Sequence, residues 1–311
     1  MKPVRKACSF ILCLVTVITI FSLTANADTG PKPSVRITFE NLGDELCYGT
    51  LLSRNESTGP ASAWNGEEED ARHNENPNGY YSYQTFGYDI WKAFTDYEDE
   101  DGFFFLQEAW QINETKELAW TYYPPNEFKI LLYFPETGDF SISGIYERYA
   151  FDSYFTVNMS ETGLFVDYNE QQSNDERIEA YRSYNYRTEI LSLIARILIT
   201  IAIETAIALL FGFRKKKELL LLIGINTATQ IILNISLNII NYNSGEMAFT
   251  FFYVLSEIAV FVIEAAVYCK LLKNSGEKNR TNLFCVIYAL IANALSFGAG
   301  LIAAQIIPGI F

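Results

Sequence analysis

Polar and apolar residues alternate with period two through the first half of the chain, and the last third is apolar almost without interruption. After Pro33, Val35, Ile37 and Phe39 fall on one side of an extended segment while Arg36, Thr38 and Glu40 fall on the other, as in a half-buried strand. Similar runs follow at 47–52, 80–86, 88–94, 103–112, 118–123, 128–134, 140–145, 149–157 and 164–168. Asp101-Gly102, Pro124-Pro125-Asn126 and Pro135-Glu136-Thr137-Gly138 separate several of them with turn chemistry. Short strands at this spacing predict an all-β, sandwich-like domain over 28–170, with Trp91, Trp110 and Trp120 filling its core. Between 171 and 188 the alternation stops. Asn174-Asp175-Glu176-Arg177-Ile178-Glu179-Ala180-Tyr181 reads as a helix capped by Asn174 or Asp175, a helical linker that feeds the first membrane segment.

Four apolar runs, at 189–213, 219–240, 248–272 and 282–307, are each long enough to cross a hydrocarbon core of about 30 Å. The expected fold class is therefore α+β overall: an all-β extracellular domain followed by a four-helix transmembrane domain over 189–311. The N-terminus has its own apolar run at 9–23, preceded by Lys2, Arg5 and Lys6 and followed by Ala25-Asn26-Ala27. That layout predicts a cleaved signal peptide over 1–27; an uncleaved anchor is the alternative, against which the run is short.

Charge orients these runs. Arg214-Lys215-Lys216-Lys217 lies between the first two, Lys270, Lys273, Lys278 and Arg280 lie between or beside the last two, and the loop at 241–247 has no basic residue. The positive-inside rule makes both basic loops cytoplasmic and leaves the β domain, and the end of the chain, outside. The protein is expected in a plasma membrane as a multi-pass chain whose first partner is the lipid bilayer. From 28 to 188 there are 30 acids and 11 bases, a net charge of −19. Such a surface repels nucleic acid and attracts cations or basic peptides. Cys47 is the only cysteine in that region, so no disulfide framework forms within it.

Two acidic loops raise the question of a metal. Asp99, Asp101, Gly102 and Glu108 occupy the third, fifth, sixth and twelfth places of an EF-hand loop, but Tyr97 stands first and Phe103-Phe104-Phe105 follows where a helix should start. Asp99, Asp101 and Glu108 are thus weak candidates for surface calcium, and a solvated Asp-Gly hairpin tip is the simpler reading. The other loop, from Glu67 to Gly79, carries His73, the only histidine. One histidine excludes multi-histidine zinc sites. No cofactor is implied, and no motif fixes a reaction, so a non-enzyme is expected. Paired carboxylates acting on a glycan remain a distant alternative.

The strongest chemistry lies inside the apolar runs. An unpaired acid at the centre of a membrane helix costs roughly 2.5–3.5 kcal/mol, yet Glu204, Glu257 and Glu264 all sit there. Asn226, Gln230, Asn234 and Asn238 recur every four residues as one polar stripe; Tyr253, Glu257, Glu264 and Tyr268 share a face of the next run. Ala292, Ser296, Ala299 and Ala303 form a small-residue face with Asn293 to one side. Glu204, Asn226, Gln230, Asn234, Glu257, Glu264 and Tyr268 therefore form the candidate intramembrane site. It serves either a cation or proton, or interhelical hydrogen bonding that fixes register.

The combination of Asn226-x3-Gln230-x3-Asn234 with Glu257-x6-Glu264-x3-Tyr268, after an acidic β-rich ectodomain, resembles uncharacterised multi-span membrane proteins of low-GC Gram-positive bacteria. The resemblance implies a bacterial plasma membrane and no particular activity. Two functions follow from the residues. One is an extracellular binding or sensing domain coupled to a polar-cored bundle; the other is a cation- or proton-coupled transporter or channel component. Four helices give little wall around a pore and the inner loops are short, so either function calls for a homo-oligomer or a membrane partner.

Overall fold

The computed structural model describes residues 30–67, 86–161, 176–272 and 280–306. The expected signal peptide, the strand at 164–168, most of that at 80–86, His73, Lys273 and Lys278 lie outside the described residues.

Among the described residues, the β-rich region holds two main sheets. One has four strands, in the order β13 (Ala180–Arg182), β11 (Asp152–Asn158), β1 (Ser34–Glu40) and β7 (Glu117–Trp120). β1 runs parallel to β11, from Ser34 opposite Asp152 to Glu40 opposite Asn158. The other has seven: β12 (Glu176–Ile178), β9 (Asp139–Ser143), β8 (Glu127–Phe134), β2 (Tyr48–Ser53) and β5 (Phe104–Phe105) in order, with β10 (Tyr146–Glu147) on β8 and β6 (Trp110–Gln111) on β2. A short hairpin, β3 (Ser57–Thr58) and β4 (Ala61–Ser62), pairs separately.

Side-chain alternation explains the layering. Val35, Ile37 and Phe155 of the four-stranded sheet share one core with Leu51, Ile130 and Leu132 of the seven-stranded sheet. The odd partners on the same strands, Leu131 and Tyr133, turn to the opposite face and meet Ile90, Trp91 and Phe94. The seven-stranded sheet is thus buried on both faces, which is why β8 reads as a continuous apolar run. Trp91 and Trp120 are buried and Trp110 packs against the core.

Three expected elements need correction. Residues 88–94 are not a strand but part of α1 (Tyr88–Asp96). Burial of Ile90, Trp91 and Phe94 follows helical spacing, and aromatic content had simulated a strand. The run at 103–112 is two short strands, because Gln107 adopts φ 60 between them. It accepts from Trp91 Nε1 at 3.1 Å and donates to Ser62 O at 3.1 Å. The linker helix expected within 171–188 is replaced, where described, by β12 and β13. Ile178 and Ala180 are buried and Arg177, Glu179 and Tyr181 exposed, a period of two. Only Glu179 separates β12, on one sheet, from β13, on the other, so the chain crosses between sheets here and their common core is closed at this edge.

Among the described residues, three helices follow that are long and apolar enough to cross a membrane: α2 (Tyr186–Leu210), α3 (Lys216–Leu271) and α4 (Asn282–Ile306). α3 is interrupted at Gly245, which has φ 79 and ψ 178. Thr229 Oγ1 nevertheless lies 2.7 Å from Glu264 Oε1, 35 residues away. A straight helix would separate them by about 50 Å. α3 is therefore doubled back at Gly245 into two antiparallel arms, 216–244 and 246–271, which correspond to the second and third apolar runs.

The helical region is inverted relative to a protein core in water. Leu210 is 82% exposed, Ile232 68% and Leu283 67%, whereas Glu204, Asn226 and Glu264 are at most 1% exposed. Lipid is the solvent that suits such a surface. The hairpin tip and the start of α2 lie at the β-domain end. At the other end Arg280 Nη1 meets Glu218 Oε1 at 2.7 Å and the Arg280 guanidinium lies over Phe213 at 4.1 Å.

Candidate functional site

Two of the buried carboxylates are knit into one cluster. Glu264, on the second arm of α3, accepts from Thr229 Oγ1 of the first arm at 2.7 Å and from Asn293 Nδ2 of α4 at 2.8 Å. Glu204 of α2 accepts through Oε1 from Ser296 Oγ of α4 at 3.1 Å, and its backbone carbonyl accepts from the Tyr288 hydroxyl at 3.3 Å. Ser296 and Asn293, one turn apart on α4, bridge the two acids. The Tyr268 hydroxyl donates to Asn226 Oδ1 between the arms and lies within reach of Glu264.

Glu257 stands apart, two turns toward the β domain, and bonds to Tyr253. The polar stripe divides. Asn226 joins the cluster, Asn234 donates to Gln230 O and Oε1 at 2.8 and 3.2 Å within its own helix, and Asn238 accepts from Arg196 Nη2 at 3.0 Å. Gln230 and Asn234 are buried but their hydrogen bonds to each other reach no carboxylate. Of the seven predicted site residues, Glu204, Asn226, Glu264 and Tyr268 are brought together. Three contributors were missed: Thr229 reads as a hydroxyl bonding its own helix, Ser296 as a small packing residue, and Asn293 as lying off the face.

Among the described residues, three buried side-chain oxygens have no hydrogen-bond partner: Glu204 Oε2, Glu257 Oε2 and Asn293 Oδ1. An unsatisfied buried polar atom costs about 1–3 kcal/mol, more if charged, so each oxygen marks a position where a proton or cation would be stabilising. Among the described residues no three Asp, Glu, His or Cys side chains gather closely enough to hold one metal ion.

Between this cluster and the β domain, polar residues are interspersed with a buried apolar cluster of Leu233, Leu237, Phe249, Tyr253 and Val260. Counted along α3 from Gly245 at 1.5 Å per residue, Glu257 lies about 18 Å deep and Glu264 about 28 Å. Above them are Tyr253, then Arg196 with Asn238, then a cavity of about 300 Å³ bounded by Tyr184, Glu189, Arg196, Asn238, Tyr242 and Phe249 among others. In the opposite direction Phe213, Leu222, Leu272, Cys285 and Tyr288 close the bundle with a fully buried apolar and aromatic layer.

The β domain grips the hairpin tip directly. Phe151 N donates to Tyr242 O at 2.8 Å. The Phe151 ring covers Gly245 so closely that a Cβ there would sit 2.5 Å from Cδ1 and Cε1. Ser153 Oγ fixes the Phe151 loop by accepting from Tyr149 N and Ala150 N, each at 3.1 Å. Tyr184 packs edge-on against Tyr242 at 5.3 Å, and its hydroxyl donates to Glu189. Burial, and then that carboxylate, push the Tyr184 phenol well above its ordinary value.

The acidic loop is organised around a lysine. Lys129 Nζ lies 2.7 Å from Asp99 Oδ1 and 2.6 Å from Asp101 Oδ2, and Asp99 Oδ2 accepts from Asp101 N and Phe103 N at 3.1 Å. The lysine hydrogen bond, with its charge, holds the Asp101 carboxyl below the usual carboxylate range. The positive charge between the two aspartates is that of Lys129; Glu108 contributes its backbone carbonyl to Thr50 Oγ1.

Compared with protein-family models, curated proteins and solved structures, the chain matches none, and the geometry alone carries the functional reading.

Proposed function

We propose that the chain is a bacterial plasma-membrane protein whose sandwich-like β domain stands outside, binds a cationic solute or basic peptide, and relays that binding into a four-helix transmembrane bundle. The lock between Phe151 and Gly245 carries this reading. It ties the loop before β11 to the one non-helical point of α3, so a shift of the sheet moves both arms of the hairpin. β13 reaches the same helices by a second route, since only three residues separate Arg182 from the start of α2. The orientation follows from the basic ends of the helices, and the preference for cationic ligands from the acidic charge of the β domain.

A transport component is the second reading, favoured by the unpartnered carboxyl oxygens. The apolar layer beneath the cluster favours a unit that binds and responds over one that conducts. The test uses the full chain in lipid nanodiscs. All four tryptophans, Trp64, Trp91, Trp110 and Trp120, belong to the β domain, so their fluorescence reports it alone, while the reactivity of buried Cys285 reports the bundle. On heating, the two signals should change together in the unmodified protein and separate in Phe151→Ala. Separate transitions in the unmodified protein would mean the domains are not coupled.

A further inference from the structure

We propose that Glu204, Asn293 and Ser296, supported by Glu264, form a binding site for one monovalent cation. The donor set is all oxygen: a carboxylate, an amide carbonyl and a hydroxyl, the ligands of a hard cation. Two of these oxygens, Glu204 Oε2 and Asn293 Oδ1, are fully buried and without a hydrogen-bond partner, on residues that are 1% and 5% exposed. Their neighbours are already committed. Glu204 Oε1 receives Ser296, and both oxygens of Glu264 receive donors from Thr229 and Asn293.

The one unpartnered carboxyl oxygen of the cluster, Glu204 Oε2, points to a single positive charge. Glu264 is the better solvated of the two clustered carboxylates, because it accepts from two side chains; Glu204 accepts one hydrogen bond at its carboxyl and has the oxygen left over. Calcium would bring two charges and take six to eight oxygen ligands, against one unpartnered carboxyl oxygen in this cluster. Arg196, the nearest arginine on α2, is eight residues closer to the β domain and bonds to Asn238, about 12 Å up the helix. The cluster is enclosed on both sides: Phe213, Leu272 and Tyr288 pack toward the basic end, and Leu233, Leu237, Val260 and Phe297 toward the β domain. The site stands whether or not the β domain relays anything to the bundle.

Sodium is the probe. Equilibrium binding of radioactive sodium to the full chain in nanodiscs, at fixed pH and with choline holding ionic strength constant, should saturate near one ion per chain. Glu204→Gln and Asn293→Ala should each weaken binding by about tenfold or more, equivalent to about 1.4 kcal/mol or more. Glu246→Gln, which removes an exposed acid at the hairpin tip, should leave it unchanged. Folding of each variant is checked by tryptophan fluorescence and size-exclusion chromatography. Asn293→Asp, which keeps the shape and adds a charge, should bind at least as tightly as the unmodified protein. Failure of the unmodified chain to bind sodium saturably, binding that folded Glu204→Gln retains in full, or a site that responds to pH but not to sodium would overturn the proposal; the last would identify the proton as the occupant.

Discussion

Replacing Gly245 by alanine places a methyl group where two independent costs act. The backbone there has φ 79 and ψ 178, a region that is essentially glycine-only and costs about 1–3 kcal/mol for other residues. The new Cβ would also stand 2.5 Å from the Phe151 ring, and relief of such an overlap by shifting packed groups costs typically about 1–3 kcal/mol more. The sum is about 2–6 kcal/mol. A double-mutant cycle separates the two. In the Phe151→Ala background the ring is gone and only the backbone cost remains, so Gly245→Ala should be less damaging there by about 1–3 kcal/mol. Stability is read from thermal or denaturant unfolding in nanodiscs, followed by tryptophan fluorescence and by Cys285 reactivity. Equal costs in both backgrounds, within about 0.5 kcal/mol, would refute the contact between the loop before β11 and the hairpin tip.

Lys129→Met leaves Asp99 buried with its cationic partner gone, and should destabilise the β domain by about 3–5 kcal/mol in tryptophan-monitored urea unfolding; Lys129→Met combined with Asp99→Asn should cost less than Lys129→Met alone. Because Lys129 holds the Asp101 carboxyl below its ordinary value of 3.8, the contribution of that contact is complete above that value and disappears as pH falls through the lowered folded-state value. Unfolding curves of the unmodified protein and of Asp101→Asn should therefore differ at neutral pH and converge in acid. Burial pushes the Cys47 thiol up to about 12, so alkylation followed by peptide mass spectrometry should leave Cys47 unmodified in the folded protein at mildly alkaline pH and label it after denaturation. An impermeant maleimide should label Ser57→Cys on intact cells and Lys216→Cys only after permeabilisation; the reverse pattern would invert the topology.

Much of the architecture was legible because it rests on local periodicity. The alternation around Val35, Ile37 and Phe39 became β1, the run at 128–134 became β8, and the apolar stretches became helices that turn back within the short loop at 241–247. The same rule was available at Arg177-Ile178-Glu179-Ala180-Tyr181, where alternate residues are buried, but the capping residues Asn174 and Asp175 drew the segment toward a helix. At 88–94 aromatic content outweighed the spacing of Ile90, Trp91 and Phe94. The carboxylates themselves were evident, since an acid in an apolar run is conspicuous. Their partners were not, because Thr229 and Ser296 have ordinary local roles in a helix and gain their significance only from acids brought beside them by the fold. The lysine at the acidic loop was hidden for a related reason: Lys129 lies 30 residues away from Asp99 and comes to it only through the fold.

The distance along the chain between Glu204 and Ser296 bears on how the protein is made. Ser296 is synthesised 92 residues after Glu204, and at about 5–20 residues per second that is a delay of roughly 5 to 20 s. Throughout that interval α2 has emerged from the ribosome with its acid and without the hydroxyl that later meets it. Glu264 has its Thr229 partner as soon as the hairpin closes, 35 residues on, but also waits for Asn293. A chain halted before α4 would therefore carry Glu204 without the Ser296 hydroxyl that meets it in the finished fold.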